Sequence, residues 1–500
     1  MNRISSFLKA SLVTVMLISS CSSDGDDNPG DNPGDDPGTT PVEETSDVDL
    51  YVTTASQSML FKKVDLNFNT KDNMSPYTIT LDPGTKYQEM DGFGAAVTGS
   101  ACYNLLKMSQ ENRTALLKEI FDPTDGMGYS YIRVPIGCSD FSLSEYTWCD
   151  TEGIENFAVP SEDEAYVFPV LKEIRAINPN IKIMGSPWTA PRWMKVNNLT
   201  DLDPYPSWTG GQLNPAYYDD YARYFVWYIQ DMEQAGFPIE SMTIQNEPLN
   251  RGNSASMYMT WQEQCDFIKN SLGPAFQKNG ITTKIVVYDH NYDYDGGGDQ
   301  MNYPANIYAD ADASQYVDGS AFHAYGGDVS EMENVHDAYP SKGLYFTEIS
   351  IGDWGYTFSL DLMWNMREVC LGTINRYCKA VMVWNLLLDD KHGPDRPGGC
   401  NTCYGVIDIS SANYSSMTRN SHYYTIGHLS KVIKPGAYRI ATEGYTDSSL
   451  YYSAFLNPDG SYAFVAQNDT DEEKSITLSD GTHTFSYKLP ARSVASFRWQ

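Results

Sequence analysis

Between residues 88 and 425 the chain switches eight times from an apolar, β-type run to a helical stretch of roughly ten to twenty residues. The runs are "MDGFGAAVT" (90–98), "SYIRVPIG" (130–137), "IKIMGSPW" (181–188), "SMTIQNEP" (241–248), "TKIVVYDH" (283–290), "VDGSAFHAY" (317–325), "GLYFTEIS" (343–350) and "AVMVWNLLL" (380–388). A helix between two strands carries the chain back to the same end, so successive strands run parallel. Eight such units predict an α/β fold, a (β/α)8 barrel. A doubly wound open sheet is the competing arrangement. No glycine-rich phosphate loop follows the first run, which counts against its nucleotide-binding form. The clearest helix is "NPAYYDDYARYFVWYIQDMEQAG", with Asn214 as N-cap, Pro215 at the first position and Gly236 as stop.

The flanks have a different rhythm. Short alternating runs occupy 49–87 ("DLYVTTAS", "VDLNFN", "PYTITLDP"), and six more follow within 426–500. One β-sandwich built from both chain ends is expected beside the barrel.

The first residues, "MNRISSFLKASLVTVMLISSC", read as an export signal over 1–20. Arg3 and Lys9 precede an apolar stretch too short to span a bilayer. "ISSC" resembles a bacterial lipobox, which makes Cys21 the lipidated terminus; cleavage near Ser20 without lipidation is the alternative. Residues 21–48 are acidic, rich in Gly and Pro, and almost free of large apolar side chains, the composition of a disordered tether. "SSDGDD" after the cysteine resembles the surface-export signal of Bacteroides-type lipoproteins. An outer-membrane lipoprotein exposed on the cell surface is expected, with a periplasm-facing one as alternative. The membrane would be met only through that lipid.

The net charge of −31 belongs mostly to the folded part, because the tether holds only nine of the 65 acidic residues. Such a surface disfavours nucleic acid and polyanions and suits a neutral glycan. Besides Cys21 there are eight cysteines. Cys138/Cys149 and Cys400/Cys403 are close enough in sequence to pair, in an oxidising compartment. "CNTC" lacks the second pair or histidines of a zinc site, so no metal and no cofactor are expected. The chain is expected to be a monomer.

In such a barrel the reactive residues lie at the C-terminal ends of the strands. Run two leads to Asp140, run three ends at Trp188, run four at Asn246-Glu247, and run six at His323 and Tyr325. Run seven ends at Glu348 and run eight at Trp384-Asn385. Two glutamates therefore face one mouth. Two carboxylates across a sugar ring are the machinery of glycoside hydrolysis: one protonated to assist the leaving oxygen, one ionised to attack or to activate water.

The stretches "DGFGAAVTGSACYNL", "YIRVPIGCSDFS", "GSPWTAPRWMK", "IQNEP", "FTE", "VWNLLLD" and "YYTIGHLSKVIKPGAYRI", in this order, resemble glycoside hydrolase family 30, the glucosylceramidase-like family, from about Asp91 onward. The resemblance implies a barrel with an attached β-sandwich. It implies Glu247 as general acid/base and Glu348 as nucleophile of a retaining double displacement, with Glu247 raised in pKa. Asn246 would hold the sugar 2-OH, and Asp140 would accept from ring hydroxyls. Trp188 and Trp384 would wall the sugar. Tyr325 would hydrogen-bond Glu348, His323 would orient the same cluster, and Arg133 would brace a carboxylate. "TIQNEPL" looks most like the endo-β-1,6-glucanase members, so a β-glucan polysaccharide or oligosaccharide is the expected substrate. Ile349 departs from the Cys or Ala that many members place after the nucleophile. The alternatives are an exo-acting β-glucosidase or glucosylceramidase, a β-xylosidase or xylanase, and a non-catalytic surface glycan-binding lipoprotein. The last would be expected to lack a catalytic carboxylate, and both are present.

Overall fold

The computed structural model describes residues 46–70, 75–292 and 298–500. The signal segment, Cys21 and the tether up to residue 45 lie outside them.

Eight parallel strands form the central sheet: β1 (Gly92–Ala95), β2 (Tyr131–Pro135), β3 (Lys182–Ser186), β4 (Ser241–Thr243), β5 (Lys284–Asn291), β6 (Val317–His323), β7 (Gly343–Glu348) and β8 (Cys378–Val383). They are hydrogen-bonded in the order β1-β8-β7-β6-β5-β4-β3-β2. The ring closes where Ala96 bridges Arg133 and where Val97 N–H donates to the Arg133 carbonyl at 2.8 Å. All eight expected runs contain a strand of this barrel.

Side chains two apart on a strand share a face, so each strand stacks its inward residues along the barrel axis. Tyr131, Met184, Val286, Ala321, Tyr345, Ala380 and Met382 form a closed apolar plug. One step further along the same strands stand Arg133, Ser186 and Thr347, joined by Thr243 of β4. The barrel filling thus changes from apolar to polar toward the C-terminal mouth.

β4 ends early. Its run was expected to stay extended to Pro248, but pairing stops at Thr243 and Glu247 sits at φ 45°. That left-handed backbone is costly for a side chain with a Cβ. It is held by three backbone bonds: Asn246 N to Pro187 O (2.8 Å), Glu247 N to Asp289 O (2.9 Å) and Asn250 N to Glu247 O (2.9 Å). The helix Tyr218–Gln234 follows the expected signals: the Asn214 side chain accepts from Ala216 N, and Gly236 leaves at φ 94°.

Nine strands form the second sheet. Six come from the C-terminal region, Tyr438–Gly444 through Ser493–Trp499. Three come from the N-terminal side: Val48–Thr54, Lys62–Leu66 and Thr78–Glu89. Val48, Leu50 and Val52 alternate inward against Phe464, Phe485, Phe497 and Trp499, so the sheet folds over one core. Ser421–Ser430, the helix after β8, fastens this sheet to the barrel. Its buried His428 bonds Ser496 Oγ through Nδ1 (2.6 Å) and Thr53 Oγ1 through Nε2 (2.8 Å), one contact to each end of the chain. No helix among the described residues is long and apolar enough to cross a membrane.

Candidate active site

The polar layer at the barrel mouth is organised by Asp289, which sequence reasoning passed over. Asp289 lies at an irregularity in β5, where the pairing with β6 slips between Tyr288 and His290 and both Tyr288 and Asp289 take positive φ (72° and 67°). The slip turns the Asp289 carboxylate into the barrel. There it accepts from Arg133 Nη2 (2.7 Å), Ser186 Oγ (2.8 Å), Thr243 Oγ1 (2.7 Å) and Thr347 Oγ1 (2.7 Å), and its Oδ1 lies 3.0 Å from His323 Nε2. Burial works to raise its pKa, but Arg133 and His323 outweigh it and hold the carboxylate far below its usual range. Asp289 is therefore a fixed anion with every lone pair engaged.

Arg133 and His323 relay that anion to the two glutamates. Arg133 Nη1 donates to Glu348 Oε2 at 2.6 Å, while its Nη2 also reaches Asn246 Oδ1 at 2.7 Å. Its guanidinium lies 4.9 Å from the Trp188 ring centre and 5.7 Å from that of Trp384. His323 Nδ1 stands 3.2 Å from Glu247 Oε1. Asn250 and Asn253 donate to the other oxygen of Glu247, at 2.8 and 3.0 Å. Tyr325 Oη donates to Glu348 Oε1 at 3.1 Å and lies 3.1 Å from Ser350 Oγ. One oxygen of Glu247, one of Glu348 and a ring nitrogen of His323 lie within 4.8 Å of one another. That matches the separation of about 5 Å at which a second carboxylate acts as nucleophile; inverting pairs stand farther apart, leaving room for water.

The charges divide unevenly. Burial pushes Glu348 up, against the pull of His323 and Arg133. Burial also works to raise Glu247, but the His323 hydrogen bond leads the groups that hold it down, to about 2. His323 is held up at about 9: burial opposes its charge, and Glu348, Asp289 and Glu247 overcome that. The elevation expected for Glu247 is thus replaced by a pair, Glu247 and His323, that keeps one proton between them, resting on the imidazole. His290, buried beside them, is lowered to about 4 and stays neutral. Asp140 is pushed well above the usual range by burial and then by Glu348 and Glu247. That shift favours the protonated form, which can donate to a hydroxyl as well as accept.

The cleft above the glutamates has a volume of about 520 Å³. Glu247, Glu348, Asp140, Tyr325 and Trp384 line it, with His290, Asn250, Asn253 and the exposed Trp354. One expected wall of the cleft is placed elsewhere. Trp188 lies behind Trp384, stacked on it at 5.1 Å, and forms none of the lining. His323 is wholly buried, so it acts on Glu247 and does not touch the cleft. Asn246 is 4% exposed and spends its Oδ1 on Arg133, which leaves Nδ2 as its donor. Arg133 and Tyr325 each sit on Glu348, and Cys400 and Cys403 form a disulfide whose residues also line the cleft. Cys138 and Cys149 are buried free thiols. The Asp289 signal was present in the sequence: "IVVYDHN" brings an apolar run to a charged residue, as the fourth and seventh runs do.

The barrel matches the model of the glycosyl hydrolase family 30 TIM-barrel domain over residues 90–433, and residues 436–497 match the family's β-sandwich domain. Among solved structures, the endo-beta1,6-glucanase BT3312 superposes with a TM-score of 0.89 at 57% identity, covering 91% of this chain and 99% of that one. Endo-1,6-beta-D-glucanase BGN16.3 of Trichoderma harzianum is 33% identical over 457 residues, 86% of this chain and 88% of its own length. Lysosomal acid glucosylceramidase of Mus musculus is 27% identical over 457 residues, 84% of this chain and 83% of its own.

Proposed function

The chain belongs to glycoside hydrolase family 30, and on that premise we propose that it cleaves β-1,6-linked glucan within the chain, with net retention, as a lipid-anchored enzyme of the bacterial cell surface. It is a glycoside hydrolase. The observation that carries the sugar and the linkage is the 57% identity to an endo-β-1,6-glucanase across 91% of the chain. The curated glucanase is also more similar than the glucosylceramidase, at 33% against 27%.

Glu348 attacks the anomeric carbon as the glycosidic C–O bond breaks. Arg133 and Tyr325 orient its two oxygens. The leaving oxygen takes a proton from Glu247, which draws it from His323 across their hydrogen bond. Once Glu348 carries the sugar as an ester, its negative charge is gone and one carboxylate remains beside the anomeric carbon. Glu247, ionised by then, takes a proton from water as that water displaces Glu348. The attack inverts the anomeric carbon twice, which gives retention. Asn246 and Asp140 hold hydroxyls of the sugar that Glu348 attacks.

The placement at the surface rests on the Cys21 motif and the acidic residues that follow it. Metabolic labelling with a fatty acid, lost in Cys21→Ala, tests the anchor. Digestion of soluble β-1,6-glucan beside β-1,3-glucan, xylan and aryl β-glucosides tests the activity. A ladder of oligosaccharides from the β-1,6-glucan is expected. Release of monosaccharide alone, or preference for another polymer, contradicts the proposal.

A further inference from the structure

Four of the ten exposed large apolar side chains among the described residues, Tyr325, Trp354, Leu360 and Trp364, lie in the cleft lining or in the segment that follows β7. Trp354, Leu360 and Trp364 are 56%, 60% and 39% exposed and fall within one short segment after β7. Trp354 belongs to the cleft lining, and its neighbour Gly355 borders a second cavity of about 340 Å³ that reaches Leu360, Trp364 and Arg367. Arg367 in turn borders a third cavity of about 280 Å³, which ends at Tyr451 on the sandwich. Each cavity meets the next at a shared or adjacent residue. They follow one another as a line of hollows, here called the groove, from the residue beside Trp354 along the helical segment 358–374, about 25 Å of helix.

The groove is lined by apolar and aromatic side chains together with arginines whose charge is already paired. Arg367 pairs with Glu368 (2.7 Å) and Asp469 (2.5 Å), Arg492 with the other oxygen of Asp469 (2.9 Å), and Arg376 with Glu333 (3.6 Å). Their guanidinium groups are fixed donors, with the positive charge already matched. An anionic ligand or nucleic acid would need unmatched cations. A neutral ligand with many hydroxyls and apolar ring faces needs what is present: an indole, a phenol ring and immobilised donors.

We propose that this groove is a second glucan-binding site, which holds the neutral β-linked polymer outside the catalytic cleft as it passes over Trp354. The occupant rests on the glucanase assignment above.

The test uses Glu348→Gln, titrated calorimetrically with soluble β-1,6-glucan, alone and combined with Trp364→Ala or Tyr451→Ala. Both added positions are partly exposed, and unchanged thermal unfolding confirms that each variant is folded. The Glu348→Gln protein should bind the polymer, and each added substitution should weaken binding about fivefold, the scale of one aromatic contact. In the active enzyme, Trp364→Ala should raise KM on the polymer by a similar factor while hydrolysis of a short aryl glycoside stays at wild-type rate. Undiminished polymer binding by both double variants overturns the groove and leaves the enzyme assignment standing. Failure of Glu348→Gln itself to bind β-1,6-glucan overturns the substrate assignment and this occupant with it.

Discussion

Glu247 Oε1 lies 3.2 Å from His323 Nδ1, and His323 has no exposed surface. A general acid needs a proton at working pH, yet against burial the His323 hydrogen bond leads the groups that hold Glu247 down at about 2. The buried imidazole at about 9 supplies what the carboxyl lacks. The two are one acid with two atoms, and Asp289, fixed by β2, β3, β4 and β7, sets the charge behind it.

The pair makes a pH prediction. His323 is raised in the folded protein, from 6.5 to about 9. Its stabilising contribution is complete below about pH 6.5 and is lost as pH rises through about 9. Glu247 is depressed, so its contribution is present above about pH 4.5 and lost as pH falls through about 2. In the wild type, kcat/KM should fall as pH rises through about 9. In His323→Gln that fall should move to lower pH, and the unfolding temperature should lose part of its alkaline decline. Parallel pH profiles of rate and unfolding temperature for the two proteins check this; identical alkaline limbs would sink the shared-proton account.

Removing Glu247 separates the two chemical steps. Glu247→Ala should lose roughly 10² to 10⁴ in kcat on glucan, the usual range for a general acid/base. An aryl glucoside with an acidic phenol leaves without protonation, so it should still glycosylate Glu348. Water then attacks without a base. A burst of phenol followed by a slow steady state is expected in stopped-flow absorbance, and a loss with no burst would place the base elsewhere.

Arg133 joins Glu348, Asp289 and Asn246 with no exposed surface. Arg133→Ala leaves Asp289 as a buried anion without its main counter-charge and should cost about 3–5 kcal/mol in denaturant unfolding. Arg133→Lys keeps the charge but has no planar fork to reach three acceptors. It should recover part of the stability and little of the activity. Equal recovery of both would make Arg133 a structural cation alone.

The architecture was legible because it rests on periodicity. Val48, Leu50 and Val52 alternate, and each barrel run carries its apolar side chains into a closed sheet. Glu247 and Glu348 were legible because a carboxylate ending an apolar strand has few structural uses. Asp289 was missed for a local reason: the slip in β5 reverses the inward and outward alternation at Tyr288, and periodicity cannot foresee it. Trp188 shows another limit. Its strand end sets its height in the barrel, but packing against Trp384 and Arg133 leaves Trp384, not Trp188, in the cleft lining. The lowered pKa of Glu247 depends on a neighbour 76 residues away, so no local motif announces it.

Double displacement at Glu348 is tested most directly by proton NMR of the first products released from β-1,6-glucan, recorded before the reducing ends mutarotate. Oxygens of Glu247 and Glu348 within 4.8 Å of one another predict β-configured reducing ends at the earliest times, with the α form growing in later. Reducing ends that appear first as the α anomer would mean single displacement by water and would contradict the assignment of Glu348 as nucleophile.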